Sequence, residues 1–375
     1  MDDISVPSTP SIFSVMTQLA NQYGAVNLAQ GFPDFPIDQK LLDAVSEAVQ
    51  SESHQYAPYQ GNLALRTAIK NLINQHNGLP ISLEELLITA GATQAIFTTI
   101  QALVTAGDEV VLLDPCYDCY ETPVLLVGAK PIHVELSLDF LPDWHAITAA
   151  INAKTKLLII NNPHNPSGRV WTSEDFSKLI DIVNNNPNLT ILSDEVYEYL
   201  TYSRQHISVR AYDILRVRSV VVSSFGKTLQ VTGWKIGYLS APTNLMQRIL
   251  RVHQYLVFSV NSVMQDAISK FLPLFNPSLF RTEYQERMMF FREGLSKSRF
   301  ICLPCEGTYF QTVDYSQIST QNDVDFCKWL IKEHGVAAIP VSVFYESNKD
   351  FHYIRLCFAK DQKTLTKALE RLCKI

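Results

Sequence analysis

Four short stretches put chemistry-bearing side chains where apolar runs stop. SVVVSSF (219–225) is β-branched and apolar, reads as a buried strand, and gives way to Gly226, Lys227 and Thr228. An ammonium at the end of a buried strand is costly unless something there uses it. GKT also closes a P-loop, but that motif needs a glycine five residues before Gly226, where Val221 stands. LTIL (189–192) runs into SDEVYEYL, with Asp194 directly after the apolar run. KLLIIN (156–161) runs into NNPHNPSG, which holds Asn165 between prolines, and ELLITAGATQA puts Gly91, Ala92 and Thr93 at the start of a helix. Taken singly, each has an ordinary reading: a helix cap, a turn residue, a second cap and a solvated lysine.

One ligand explains all four at once. An amine, a carboxylate, an amide donor and the phosphate-binding amides of a helix N-terminus suit a phosphorylated, electron-withdrawing pyridine aldehyde, pyridoxal phosphate. Lys227 would form a Schiff base with the aldehyde. Asp194 would keep the pyridine nitrogen protonated, since an opposite charge within hydrogen-bond range shifts a pKa by roughly 1–3 units. Tyr197, three residues on, shares the face of Asp194 if this segment turns helically, and would donate to the ring's phenolic oxygen alongside Asn165. Tyr117 is placed to stack on the ring.

The elements that must position these groups are those of an α/β fold. From about residue 40 to 270, strand-like runs alternate with helical periodicity, which predicts a mostly parallel sheet whose ligands bind beyond the carboxyl ends of its strands. The runs are DEVVLLD (108–114), KLLIINNP (156–163), LTILSDE (189–195), VVVSSF (220–225) and GYLSAP (237–242). Helices are expected over 92–104 and 173–185, the second capped by Ser173. After about 275 a long charged helical stretch leads into GTYFQTVDY and HYIRLCFA, the pattern of an α+β unit. This predicts a large domain over 41–275 and a smaller one built from 1–40 and 276–375, joined at LPLFNP.

Bulk properties remove other classes. The chain has 375 residues, 47% hydrophobic and 18% charged, an ordinary globular balance. A net charge of −6 argues against nucleic acid or anionic membrane as a partner. MDDISVPSTP lacks the character of a signal peptide, and the longest apolar stretch, 86–113, is broken by polar residues, so a cytoplasmic protein is expected. The seven cysteines include two CxxC pairs, Cys116/Cys119 and Cys302/Cys305. They lie far apart without a zinc-ribbon context and read as buried or idle thiols, with no metal expected.

With these residues assembled, the chain resembles the class I/II aminotransferases, pyridoxal-phosphate enzymes of fold type I, and most of all their methionine and kynurenine aminotransferase branch. QGFPDF, QYAPYQG, TAGATQA, DPCYDCY, NNPHNPSG, SDEVYE, SSFGKT and GWKIGY occur in the family's order. The resemblance implies a seven-stranded, mostly parallel sheet and a homodimer in which Tyr56 reaches the phosphate of the neighbouring subunit. It implies Lys227 as the Schiff-base lysine, Asp194 as pyridine partner, and Asn165 and Tyr197 as donors to the phenolic oxygen. Gly91, Ala92, Thr93, Ser224 and Lys235 would hold the phosphate, Arg355 the substrate α-carboxylate, and the backbone of Gly31 would face that carboxylate. Phe13, Tyr59, Phe344 and Tyr345 are either pocket walls or plain core. No second arginine aligns for a side-chain carboxylate, which favours neutral, apolar or aromatic donors, methionine foremost. The implied reaction is ping-pong transamination to a 2-oxo acid. The rivals are a cysteine-conjugate β-lyase on the same scaffold and a non-enzymatic regulator, the latter disfavoured by the lack of a DNA-binding segment.

Overall fold

The computed structural model describes residues 11–51, 53–77 and 80–375. Helix Ile12–Tyr23 starts on the Ser11 side chain and ends on Gly24 in the left-handed conformation, which turns the chain into β1 (Val26–Asn27). Seven strands then share one sheet: β2 (Leu86–Thr89), β3 (Glu109–Asp114), β4 (Lys130–Glu135), β5 (Thr155–Asn161), β6 (Thr190–Asp194), β7 (Ser219–Ser224) and β8 (Gly237–Ser240). Their order is β2-β8-β7-β6-β5-β3-β4, parallel throughout except for β8, which runs antiparallel to both neighbours.

The continuous apolar runs of the central strands follow from burial on both faces. Val220 and Val222 pack with Ile96 and Leu192 on one side, while Val221 between them packs with Phe176 and Leu179 on the other. Burying each such side chain contributes roughly 1.5–3 kcal/mol, so the strand ends are held rigidly. β4 was not among the expected strands. It is a half-exposed edge strand carrying Pro131 and His133, so it lacks the apolar run that betrays its neighbours. Helix Ser173–Asn185 begins as expected, but its cap is Thr172, not Ser173. Thr172 and Asp175 close a reciprocal capping box, which the Thr-x-x-Asp spacing favours over a cap one residue later.

Beyond a short turn at Leu272–Leu274 and the long helix Pro277–Leu295, a second sheet forms. It contains β9 (Ile301–Cys302), β10 (Phe310–Asp314), β12 (Ile339–Pro340) and β13 (Tyr353–Cys357), all antiparallel, in the order β12-β13-β10-β9. β1 pairs in parallel with β11 (Val336–Ala337), and Met16, Ala20 and Leu28 pack into the same core as Phe326, Leu330 and Leu356. No helix among the described residues is long and apolar enough to cross a membrane.

The register decides where function can sit. Asn161 and Asp194 are partners at the ends of β5 and β6, and Asp194 pairs with Val222 two residues before the end of β7. Three adjacent parallel strands therefore deliver Asn161, Asp194 and Ser224 to one edge of the sheet, where open α/β sheets bind ligands.

Candidate active site

At that edge lies a cavity of about 420 Å³. Phe13, Gly31, Ala92, Thr93, Tyr117, Asn165, Asp194, Tyr197, Ser224, Lys227, Lys235 and Arg355 all line it. Gly91, the first residue of helix Gly91–Leu103, sits just behind: a Cβ there would stand 3.5 Å from Lys235 Nζ. Tyr56 does not reach this cavity; it is 81% exposed and packs edge-on against Phe258. Of the other expected walls, Phe344 contacts Phe13 and faces the Arg355 guanidinium from behind, while Tyr345 packs on Phe351 and Tyr59 is exposed.

One end of the cavity is built for an anion. Ala90, at the N-cap of helix Gly91–Leu103, makes no side-chain capping bond, so the first-turn amides lack a partner from that residue. Lys235, in the left-handed conformation at φ 54°, brings its ammonium over this helix start, and Ser224 closes the other side. Gly237 makes the approach possible, because a Cβ there would lie 2.7 Å from Ser223 O and 3.0 Å from Gly91 C.

At the opposite end a carboxylate is kept from water. Asp194 is buried, accepts a 2.6 Å hydrogen bond from Tyr120 Oη and a 3.3 Å bond from the Val196 amide. Desolvation outweighs these bonds and lifts its pKa to about 6. The segment after it forms turns rather than a helix, with Leu200 N bonded to Tyr197 O, yet the three-residue offset still brings Tyr197 to the cavity. Behind these groups Glu198 accepts from Ser223 Oγ at 2.6 Å and from Tyr238 Oη at 2.9 Å, and Glu195 accepts from Val209 N at 3.1 Å and pairs with His206 at 2.9 Å. This buried network ties the ends of β6, β7 and β8 together.

Between the two ends stands Lys227, the third residue of the short helix Phe225–Thr228. Its Nζ donates to Tyr309 Oη at 2.8 Å and lies 3.5 Å from Gly31 O. Burial, with Arg355 and Lys235 nearby, lowers its pKa to about 8, so a reactive neutral amine is accessible near neutral pH. Tyr309 Oη in turn donates to Gly31 O at 2.7 Å. Gly31 must be glycine for this contact, since a Cβ would meet the Phe310 ring at 2.6 Å.

Arg355 is the most unusual charge. It is 1% exposed, donates from Nη1 to Asn165 Oδ1 at 2.6 Å and from Nη2 to Ala29 O at 3.2 Å, and its Nε has no partner. The guanidinium lies 3.8 Å from the Phe310 ring centre, with Phe13 and Phe344 each at 5.4 Å. Among the described residues no carboxylate pairs with it. An unpaired buried cation costs several kcal/mol, a cost that an incoming carboxylate relieves.

The chain is similar to known proteins. The family model "Aminotransferase class I and II" matches residues 23–372. The chain belongs to the class I and II aminotransferases. It is 44% identical to a methionine aminotransferase of Escherichia coli over 368 residues, 96% of this chain and 95% of that one. A kynurenine–oxoglutarate transaminase of Dictyostelium discoideum is 31% identical, covering 98% and 94%. Among solved structures, an Escherichia coli protein with an identified methionine aminotransferase function superposes at a TM-score of 0.96, with 42% identity over 100% of this chain and 99% of that one. An N-succinyldiaminopimelate aminotransferase of Mycobacterium tuberculosis superposes at 0.94 with 34% identity, covering 100% and 99%. The chain is thus a transaminase with the expected fold-type I architecture, acting on amino and 2-oxo acids.

Several cavity groups of this aminotransferase escaped the sequence reading. Tyr120 lies three residues after Tyr117 in the same DPCYDCY segment, a spacing that could have flagged it. Asn161 ends β5, donates from Nδ2 to Asp194 O at 3.0 Å and accepts from Asn165 N at 2.8 Å. Asp118 is exposed beside Tyr117, its carboxyl raised by partial desolvation. Tyr309 and Phe310 stand at the start of β10; nothing local in GTYFQTVDY marks them, because Phe310 meets Arg355 through the pairing of β10 with β13 and Tyr309 meets Lys227 only in the folded chain.

Proposed function

We propose that this aminotransferase uses pyridoxal phosphate to move the amino group of a neutral, apolar L-amino acid, methionine foremost, to a 2-oxo acid. The observation that carries this reading is the division of cavity cations. Lys235 stands at the uncapped helix start, Lys227 beside Tyr309, and Arg355 alone in an aromatic cage. These suit a phosphate, a reacting carbonyl carbon and an α-carboxylate in turn, which leaves no lining cation among the described residues for a side-chain carboxylate. Asp118 adds a negative charge to the lining, and Phe13, Phe32 and Phe310 add apolar surface. The similarity to a methionine aminotransferase points the same way.

The buried Asp194 fits the cofactor on physical grounds, because a carboxylate desolvated this far gains most from a protonated ring nitrogen. Pyridoxal phosphate supplies an aldehyde that condenses with the substrate amine and a ring that takes up the electrons freed when the Cα proton leaves. The protein's part is to bind and to move protons. Ala92, Thr93, Ser224 and Lys235 would hold the phosphate, Asn165 and Tyr197 would donate to the ring oxygen, and Tyr117 would stack on the ring. Lys227 Nζ takes the Cα proton as general base and returns it as general acid, and its depressed pKa suits both roles. Arg355 orients the substrate through its carboxylate.

The same reading divides the chain into a large lobe over 41–275 and a smaller one from 1–40 and 276–375. It also makes the enzyme a homodimer in which the exposed Tyr56 serves the phosphate of the neighbouring subunit's site.

The test is the absorption spectrum of the holoenzyme before and after L-methionine, with no acceptor present. Conversion of the bound cofactor to its amine form, with release of the 2-oxo acid, is the expected result. A cofactor spectrum indifferent to methionine but responsive to aspartate would overturn the substrate reading. Arg355→Lys is expected to raise KM for methionine about 10- to 100-fold with a smaller change in kcat, since one charge-assisted fork bond is worth about 1.5–3 kcal/mol. An unchanged KM would remove Arg355 from carboxylate binding.

A further inference from the structure

Outside the cavity, one cluster combines three metal-binding side-chain types: Asp114, Cys116 and His133, whose donor atoms lie within 4.8 Å of one another. Asp114 is the last residue of β3, Cys116 follows it by two, and His133 projects from the adjacent parallel strand β4. The scaffold is therefore set by strand pairing and Asp114 is buried, its second oxygen accepting from the Glu346 amide at 2.9 Å. His133 Nδ1 sits 2.9 Å from Asp114 Oδ1. Its other nitrogen, Nε2, is buried without a hydrogen-bond partner, and the Glu121 carboxylate stands 3.8 Å away. Cys119, the CxxC mate of Cys116, is not part of this group.

The geometry points to a binding site for a divalent metal of the zinc class, ligated by Cys116 Sγ, His133 Nδ1 and Asp114 Oδ1, with Glu121 positioning the imidazole through Nε2–H. One sulfur, one imidazole nitrogen and one carboxylate oxygen form the donor set of borderline-soft ions such as Zn²⁺ or Co²⁺, not of Mg²⁺ or Ca²⁺. Bond lengths of about 2.0–2.3 Å place neighbouring donors of a tetrahedral site roughly 3.5 Å apart, within reach of this cluster by small side-chain rotations. A carboxylate on the far nitrogen of a ligating histidine is the usual outer support of such a site, and Glu121 occupies that place. The Asp114 and Glu121 carboxylates lie 2.9 and 3.8 Å from the two His133 nitrogens, so negative charge flanks the site and attracts a cation. Binding breaks the Cys116 S–H bond, whose electron pair becomes the metal–sulfur bond while the proton leaves to solvent; neutral His133 gives its Nδ1 lone pair with its single proton on Nε2 toward Glu121, and water completes the four-coordinate site. The site lies one residue from Tyr117 in the cavity wall, and the Cys116 amide also holds Phe344 O at 2.8 Å.

The proposal is tested by titrating the holoenzyme with Zn²⁺, and with Co²⁺ read in its ligand-field bands at wavelengths beyond the cofactor's absorption. One equivalent per chain, release of about one proton on binding and a tetrahedral Co²⁺ spectrum are expected. Cys116→Ser and His133→Ala should each weaken binding at least about 100-fold, Glu121→Gln roughly tenfold, and Cys302→Ser not at all. Absence of saturable binding to the wild type, or binding that survives Cys116→Ser, would overturn the site. The wild-type proton count stands independently of whether a variant folds, and cofactor content measured in the same samples identifies a misfolded chain.

Discussion

Lys227→Ala is expected to reduce turnover about 10⁴-fold or more while the protein still binds cofactor. The figure is the upper end of what a positioned acid–base group contributes, and here one amine serves as base and as acid in each half-reaction. Its environment explains why no neighbour substitutes for it. Tyr309 Oη, 2.8 Å from Nζ, is a buried phenol whose pKa is pushed well upward, first by desolvation, so it stays protonated and cannot act as the base. Asp194 is committed to the Tyr120 bond. The measurement is single-turnover transfer from L-methionine, followed spectroscopically in wild type and variant. Rates within tenfold of wild type would sink the assignment of Lys227.

Asp194→Asn carries the second large effect, and it has two opposite signs. In the holoenzyme it is expected to lower kcat/KM about 10³-fold, since an adjacent carboxylate raises a ring-nitrogen pKa by up to roughly 3 units at about 1.4 kcal/mol each. In the cofactor-free protein the same change should stabilise the fold. Burial raises the Asp194 pKa from 3.8 to about 6, so the folded state holds this proton more tightly than the unfolded chain. The native protein incurs no penalty below pH 4; the cost grows as pH rises from 4 to 6 and is complete above that. Two units amount to about 3 kcal/mol. Cofactor-free Asp194→Asn should therefore melt higher than wild type at pH 8 and lose that advantage at pH 4, with both measured by thermal unfolding. An advantage that persists unchanged at pH 4 would show that the carboxyl is not strained by burial.

These two residues are legible in the sequence alone, and the reason is local. A buried parallel strand announces itself by an apolar run, its end by the first polar residue, and ligands gather at such ends. Asp194, Lys227 and the start of helix Gly91–Leu103 were found in this way, and Asn165 just beyond β5. The ordered motifs of the family added Arg355 and Gly31, which no local pattern distinguishes from a surface arginine and a turn glycine. β4 went unread because an edge strand needs no apolar run, and the Thr172 cap was missed by one position because adjacent Thr and Ser compete for the same role.

The amino-acid order by itself determined the kind of chemistry, since residue types at the ends of central strands depend only on neighbours a few positions away. It also determined the alternation of strand and helix that sets those ends at one edge. What only the tertiary structure decided are the contacts made across long stretches of chain. Tyr309 against Lys227, Phe310 beneath Arg355, Tyr120 on Asp194 and His133 beside Asp114 join residues between 19 and 82 positions apart. Such pairs arise from strand pairing and from the way distant segments of the chain meet around the cavity, which are global solutions for burying apolar surface, and no short window of sequence encodes them.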